Sequence, residues 1–511
     1  MGDDFLLSLG SPDAAEEETA LQASEPQPVD IPSSRKLSEE QDETTMRISI
    51  EESIERLGMG SFQYRIFVVS GLCFAADAME VLLLSFLSIV LRSEWNLTTH
   101  QTALLTSSVF VGALVGTLTF GLLGDRIGRR PTFLLSAVII GVFGLLSAFS
   151  LEYYSLLITR AIVGAGIGGL TIPFDTMAEF LPAAHRGTKL LAIQGFWTIG
   201  NLLVVLAAWV SLQLFDENWR LFVAICAVPC WISALVGLMF VPESPRWLVS
   251  SGRQERALDI LRGAARKNGL DPTVVFPEGI QIVTGDVAGE SSSVGFVDLV
   301  TTKHWRSLIF WLSLVWAGMG FLYYSNILLI TLVFASDTTF DYRAILYSVV
   351  AELFGVAMVI FTVDWWGRVP SQVFAYLVAG ICVGLLSLGD GMGFASRNTL
   401  KALAFGSRWF FMSASSVTWT STPELLPTEI RTTGHSMVNA VARVTGAVSP
   451  FVVQSNLTEV VVGVILTSVS IVAAFSSWML PESKGIEMGT AAKKPRSPFV
   501  GLKPNTAGSV V

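Results

Sequence analysis

The sequence predicts an all-α membrane protein with twelve transmembrane helices in two parallel six-helix repeats. Three observations carry this. Half of the 511 residues are hydrophobic and only 15% are charged, against roughly 25% charged in soluble domains; lipid is the solvent that suits such a chain. Twelve apolar spans follow one another, each near the roughly 20 residues that a bilayer core requires. Finally, charged phrases at the ends of these spans recur. Gly124-Asp125-Arg126-Ile127-Gly128-Arg129-Arg130-Pro131 returns in worn form as Val363-Asp364-Trp365-Trp366-Gly367-Arg368-Val369-Pro370, an offset of 239 that Pro242-Glu243-Ser244 and Pro481-Glu482-Ser483 share. Glu179-Phe180-Leu181-Pro182 with Arg186 returns as Glu424-Leu425-Leu426-Pro427 with Arg431, an offset of 245. Three phrases in one order at nearly one offset mean duplication of a half-protein. Parallel repeats of membrane helices are a transporter architecture, with the solute bound between the halves.

Residues 1–50 are rich in Glu, Asp, Ser, Pro and Gln and poor in aromatics, so they are expected to stay disordered as a cytosolic tail. Residues 1–60 hold 15 acids and 4 bases; the net charge of −9 is therefore local to this end, and nothing in the rest suggests a nucleic-acid partner. The chain opens on acids and not on a basic-then-apolar signal, so the first span is expected to direct insertion. Residues 51–62 read as a short amphipathic helix opening the first half, 51–241. Its spans are 64–91, 99–123, 131–150, 154–180, 188–213 and 219–241. Gly164-Ala165-Gly166-Ile167-Gly168-Gly169 lies inside the fourth span, where small residues serve close helix packing and no strand precedes them to make a nucleotide loop.

A polar linker, 242–305, follows, with a surface helix expected over Arg253–Lys267 and a Gly/Ser-rich segment at 284–295. The second half, 306–480, has spans at 306–334, 343–363, 370–389, 399–422, 434–455 and 458–480, and 481–511 is a tail. Lys and Arg concentrate in the loops after even-numbered spans, which places both termini in the cytosol. Asn96-Leu97-Thr98 and Asn456-Leu457-Thr458 are glycan acceptor triplets that this topology puts outside. Cys73, Cys226, Cys230 and Cys382 all fall in apolar spans and read as packing residues; no metal site, disulfide framework or cofactor is expected.

Gly121-x-x-Gly124-Asp125-Arg126-x-Gly128-Arg129-Arg130 resembles the signature between helices 2 and 3 of the major facilitator superfamily. Arg160 with the glycine run resembles its helix-4 motif. Pro242-Glu243-Ser244-Pro245-Arg246-Trp247-Leu248 resembles the phrase after helix 6 in the sugar-porter and organic-ion branches. Gly60-Ser61-Phe62-Gln63 and Ala76-Asp77-Ala78-Met79-Glu80-Val81-Leu82-Leu83-Leu84-Ser85 are similar to the synaptic vesicle protein 2 related group, which includes nicotinate carriers and is kin to organic cation and anion carriers. The chain departs from these patterns in three places. The second arginine signature has lost an arginine, Phe354 stands where the group has proline, and Gln194 stands alone where sugar porters have two glutamines. The resemblance implies a major facilitator fold and transport by alternating access.

An ionisable residue deep in a membrane helix costs several kcal/mol unless it faces a cavity or a partner, so each is a functional candidate. Asp77 lies mid-span in helix 1 with Glu80 one turn on and on the same face. Two carboxylates in a low-dielectric cavity suit a proton carrier or a site for a cation; the alternative is a structural ion pair with a neighbouring helix. Glu352 is mid-span in helix 8 and has Ala113 as its repeat partner. Arg443 lies roughly 18 Å into helix 11 at about 1.5 Å per residue, where a guanidinium is a fork for carboxylates; its alternative is a salt bridge to Glu352 or Asp77. By resemblance, an arginine here belongs to the organic-anion and vesicle-related branches. Tyr323, Tyr324, Ser325 and Asn326 in helix 7, Gln194, Trp197 and Asn201 on one face of helix 5, and Trp419 in helix 10 are expected cavity liners. Asp125, Arg126, Arg129 and Arg130 are expected to form a cytosolic gate: the acid caps a neighbouring helix and the arginines tether the halves. By resemblance this holds the outward-facing state. Arg160, Glu179, Arg186, Glu243, Arg246, Asp364, Arg368, Glu424 and Arg431 are expected to extend that network.

The expected function is secondary transport of a small organic solute bearing a carboxylate, a nicotinate-like anion or zwitterion, with protons as the coupling ion through Asp77. The rivals are an organic cation or sugar carrier and a non-transporting vesicle protein or receptor. No nucleophile–base pair points to an enzyme. The expected partners are the solute and membrane lipid around a monomer, in a plasma or vesicle membrane.

Overall fold

The computed structural model describes residues 46–170, 172–215, 218–283, 301–336, 339–426 and 431–484, with the backbone alone at 183–188, 304 and 431–433. In the first half α2 (Ser61–Glu94), α3 (Thr99–Ile127), α4 (Arg129–Ser147), the pair α5 (Tyr153–Ile167) and α6 (Ile172–Phe180), α7 (Ala183–Ala208) and α8 (Trp219–Phe240) occupy the six expected spans. In the second, α12 (Lys303–Val333), α13 (Tyr342–Trp366), α14 (Arg368–Gly391), α15 (Arg397–Leu425), α16 (Arg431–Val453) and α17 (Glu459–Trp478) do so. Among the described residues eleven helices are long and apolar enough to cross a membrane. The one expected span not among them is the tenth, α15, whose 29 residues suffice in length but carry many serines and threonines. These are buried, and many satisfy themselves on the preceding turn: Thr418 donates to Ala414 O at 2.8 Å, Thr422 to Thr418 O at 2.7 Å and Ser413 to Trp409 O at 3.0 Å.

Two spans depart from a plain helix. The span expected at 154–180 is broken after Ile167. Gly168 and Gly169 follow, and Pro173, lacking an N–H, sits in the first turn of α6. The span at 188–213 finishes in a π-helical turn, Trp209–Leu214. The glycine run does bring helices together. A Cβ on Gly164 would strike the backbone of Val109, and one on Gly168 the backbone of Gly116 and Thr117, so α5 lies directly against α3.

The two halves meet along α3 with α16, α7 with α13, and α2 with α12. On the face opposite the linker, here called distal, the seam is neutral and polar. Ser107 donates to Ala447 O at 2.7 Å, Gln454 to Ser88 at 2.9 Å, Thr331 to Ser85 at 3.0 Å and Thr99 to Asn456 at 3.1 Å. Helix starts on this face are capped by Thr98, Asn218, Asp341 and Ser396. Burial alone would raise the Asp341 carboxyl, but the Ala344 N–H and Lys401 outweigh it and hold it below the usual range.

On the linker face, β1 (Arg47–Ser49) pairs in parallel with β2 (Gln281–Val283), so residues 47–50, expected in the tail, are structured here. After β1, α1 (Ile50–Leu57) ends at Gly58, one glycine-rich step before α2, so the helix expected over 51–62 is split. Ile48, Ile54 and Leu57 pack with Leu248 of α9 (Pro245–Ser250), Leu261 of α10 (Gln254–Lys267), Phe276 after α11 (Pro272–Val275), and Ile282. The helix α10 matches the expected surface helix. The remaining tail, 1–45, and the Gly/Ser-rich 284–295 lie outside the described residues. Short strands β3 (Ala335–Ser336) and β4 (Thr339–Phe340) close the turn before α13.

Candidate functional site

A cavity lies between the halves at mid-height, with a free volume of ≈ 40 Å³, room for a few waters. Asp77, Gln194, Trp197, Tyr323, Tyr324, Trp419 and Arg443 all line it, as expected. Arg443, only 4% exposed, donates to the Tyr324 hydroxyl at 3.2 Å and faces Asp77 at a loose 3.9 Å. Its Nε and the Asp77 Oδ1 are buried without partners, as is the Gln194 Nε2. Among the described ion pairs, Arg443–Asp77 alone joins the two halves. The cavity is closed by cross-half contacts on both sides. Towards the linker face, Phe74 and Phe174 of the first half meet Trp419 of the second at 5.9 and 5.6 Å between ring centroids. Towards the distal face, Phe110 covers Tyr324 at 4.5 Å. His435, one turn into α16, packs on both Trp316 and Trp419.

Several expected placements are corrected. Asp77 and Glu80 do not share the cavity. Three helical positions put them 60° apart, enough for Asp77 to look at α16 and for Glu80 to turn into its own half. Glu80 is paired there with Arg160 at 2.7 Å, and Arg160 also donates to Ser147 at 2.8 Å. Arg160 is fully buried, so it is no part of the gate. Glu352 is also away from the cavity lining, held by Arg408 at 2.8 Å. The same carboxylate accepts from Tyr323 at 3.0 Å and from Asn201 across the seam at 2.9 Å. Trp197 donates to that same Tyr323 hydroxyl. Asn201 thus serves the seam and not the lining. Asn326 faces α15, accepting from Ser407 at 3.1 Å, and Ser325 is buried outside the lining.

The sequence reading missed Arg408, Trp316, Asn439, Met319, Met412 and Ser415. One signal could have found Arg408: the 245-residue offset between the Glu179 and Glu424 phrases carries Arg160 to position 405, three residues from it. Asn439 stands one turn before Arg443 and lines the same cavity.

The gate is built differently from expectation. Glu243, and not Asp125, caps α4, accepting from the N–H groups of Arg129 at 2.8 Å and Arg130 at 3.2 Å. Its twin Glu482 accepts from Arg368 N and Val369 N, both at 2.9 Å. The charges pair inside each half: Asp125 with Arg129 at 3.0 Å, Asp364 with Arg368 at 3.1 Å, Glu424 with Arg368 at 3.0 Å and Arg246 with Glu51. Ser244 binds Glu179, and Ser483 binds Glu424 at 2.7 Å. Arg130 donates to Leu238 O at 2.6 Å, and Arg126 is exposed. Among the described residues no ion pair on the linker face tethers the halves; apolar contacts of Leu191 with Val359, Val363 and Val417 do. The side chains of Arg186 and Arg431 lie outside the described residues.

The model of the "Sugar (and other) transporter" family matches residues 38–492. Synaptic vesicle 2-related protein of Bos taurus is 32% identical over 465 residues, covering 85% of this chain and 81% of its own. Organic cation/carnitine transporter 7 of Arabidopsis thaliana is 32% identical over 451 residues, covering 80% and 88%. Among solved structures, the partially occluded inward open xylose transporter XylE from E. coli superposes with a TM-score of 0.69 at 21% identity, covering 83% of this chain and 99% of its own.

Proposed function

Because the chain belongs to the sugar (and other) transporter family and has the major facilitator fold, we propose that it carries a small carboxylate-bearing organic solute, a nicotinate-like anion or zwitterion, in company with a proton. The coarser statement stands on the family: this is an integral multi-pass membrane protein and a secondary transporter of small solutes. The observation that carries the finer one is Arg443, a buried guanidinium facing the central cavity with an unpartnered Nε and only a 3.9 Å contact to its acid. A solute carboxylate completes that fork better than Asp77 does. In this mechanism the solute takes Arg443, Asp77 loses its counter-ion and carries a proton in its place, and the Arg443–Asp77 pair that joins the halves is exchanged for solute and proton. Trp316, Trp419, Trp197 and Phe74, packed edge-to-face on one another, give an aromatic lining against which a solute ring can pack. We place the linker face and both termini in the cytosol on the Lys/Arg bias of the loops, with the protein acting as a monomer in a plasma or vesicle membrane.

Uptake of radiolabelled nicotinate by cells expressing Arg443→Ala tests this. Uptake should fall at least about tenfold at unchanged surface expression, as loss of a charge-assisted pair implies, with partial recovery in Arg443→Lys. Normal uptake in Arg443→Ala overturns the anion reading. A second reading, an organic cation held by Asp77, is favoured by the unpartnered Asp77 Oδ1 beside those aromatic faces; under it Arg443→Ala spares uptake and Asp77→Ala abolishes it.

A further inference from the structure

The wall that Trp197 and Tyr323 give the central cavity has no hydrogen-bonding capacity left. A phenol hydroxyl has one proton to give and two lone pairs to fill. Tyr323 gives its proton to Glu352 at 3.0 Å and accepts from the Trp197 indole and from Asn201 Nδ2, the latter at 3.3 Å. The single N–H of Trp197 is thereby spent as well. Trp316, in the same lining, has given its N–H to Thr422 at 2.9 Å. A solute therefore meets carbon at this wall, although its residues carry polar atoms. Unpartnered polar atoms lie elsewhere in the lining, at Arg443 Nε, Asp77 Oδ1 and Gln194 Nε2.

Asn201 decides this without touching the cavity. It follows Trp197 by one turn on the same face of α7, is fully buried and stands outside the lining. Its amide divides two hydrogens between the Tyr323 hydroxyl and Glu352 Oε2, the second at 2.9 Å. The Glu352 carboxylate, held by Arg408, only accepts, so the amide nitrogen must face it. The Asn201 Oδ1 is left buried without a donor, so among the described residues this side chain gives two hydrogen bonds and receives none. We propose that Asn201 is a specificity-determining positioning residue: by filling the Tyr323 hydroxyl from the first half, it makes the central site reject solutes with a hydroxyl group remote from their charged group, polyols and sugars among them. This deepens the reading of the central cavity as the solute site and rests on it for the solute's place, not for the sign of its charge.

Isothermal titration calorimetry on the full-length protein in lipid nanodiscs tests this. The probes are 4-methylbenzoate and 4-hydroxybenzoate, matched in size and charge, the corresponding pair of 4-substituted phenyltrimethylammonium cations, and glucose. An apolar pocket rejects an isostere with an added hydroxyl by about a hundredfold. In the pair that binds, the hydroxyl probe should be weaker by about that factor, and glucose should give no binding heat. Asn201→Leu releases a lone pair on Tyr323, and the one hydrogen bond regained should narrow the gap by about tenfold. A merely structural role would weaken both probes alike and leave their ratio unchanged. If Asn201→Leu does not fold, because Glu352 has lost a donor, Trp197→Phe frees the same hydroxyl and should narrow the gap in its place. The proposal is overturned by equal binding of the two isosteres, by binding of glucose, by failure of both pairs to bind, or by a gap that persists unchanged in the folded variant. A gap carried by the ammonium pair, with no benzoate binding, overturns the anion reading alone and leaves this one standing.

Discussion

At the scale of single residues, three buried acids meet three buried arginines among the described residues, and the spacing separates their roles. Glu80–Arg160 and Glu352–Arg408 are tight at 2.7 and 2.8 Å, each within one half. Asp77–Arg443 is loose and crosses between halves. A tight buried pair that loses one member leaves a bare charge, which costs about 3–5 kcal/mol. Arg408→Ala should therefore lower the melting temperature of the purified protein steeply, and Arg408→Met with Glu352→Gln should regain most of it; an unchanged melting curve for the single variant would contradict the pairing. Asp77→Asn has a different expected signature. It should abolish accumulation driven by a pH gradient and spare solute exchange, because exchange requires rocking with solute bound and no proton release. Accumulation against the gradient by this variant would remove Asp77 from proton coupling. Depth along a span was enough to single out Asp77, Glu352 and Arg443 from sequence. Rotation was not: the 60° between Asp77 and Glu80 sends them to different neighbours, and periodicity alone does not say where those neighbours stand.

At the scale of the element, the repeated signature reads as a device for turning the chain back at the linker face. Gly128 and Gly367 both take φ near +106°, a conformation other residues reach only with strain. A Cβ on either would collide with the carboxylate of Glu243 or Glu482 that caps the next helix. Gly128→Ala should thus cost about 1–3 kcal/mol through backbone strain, read as a lower melting temperature. Gly121→Ala, in the same phrase but facing open space, should cost nothing; equal effects at both would sink the account. The sequence identified these phrases and their order. It did not identify the capping acid, because Glu243 lies 114 residues from Arg129 and only the fold brings them together. The same limit explains Arg408: α15 is so rich in hydroxyls that its arginine does not stand out from the local composition, and its value appears only when Glu352 is placed opposite.

At the scale of the whole molecule, the two sides of the cavity are sealed by different chemistry. The distal seam is made of neutral hydrogen bonds, each worth about 0.5–1.5 kcal/mol net, so four of them form a seal that a few kcal/mol of solute binding can open. A Thr99→Cys, Asn456→Cys pair joined by a short methanethiosulfonate cross-linker should stop uptake, and reduction should restore it; transport through the linked protein would show that this seam does not move. Asn456 already accepts from Thr99 in that seam, so it should carry no glycan although it belongs to an acceptor triplet. The helical membrane architecture, the duplicated halves and the aromatic cavity walls were legible from composition, offset and spacing. The pairing of charges within halves was not, since a charged phrase announces that it needs partners without naming them.

The parallel pairing of Arg47–Ser49 with Gln281–Val283 sets a schedule for biogenesis. Its two strands are roughly 230 residues apart, so at about 5–20 residues per second of synthesis the first strand waits on the order of 10–50 s for its mate. In that interval the ribosome delivers all six spans of the first half. The last stitch of that half is sewn at the face where its first residues emerged, and an early-released chain that stops short of residue 281 has its opening segment, with Ile48 bared, unfastened.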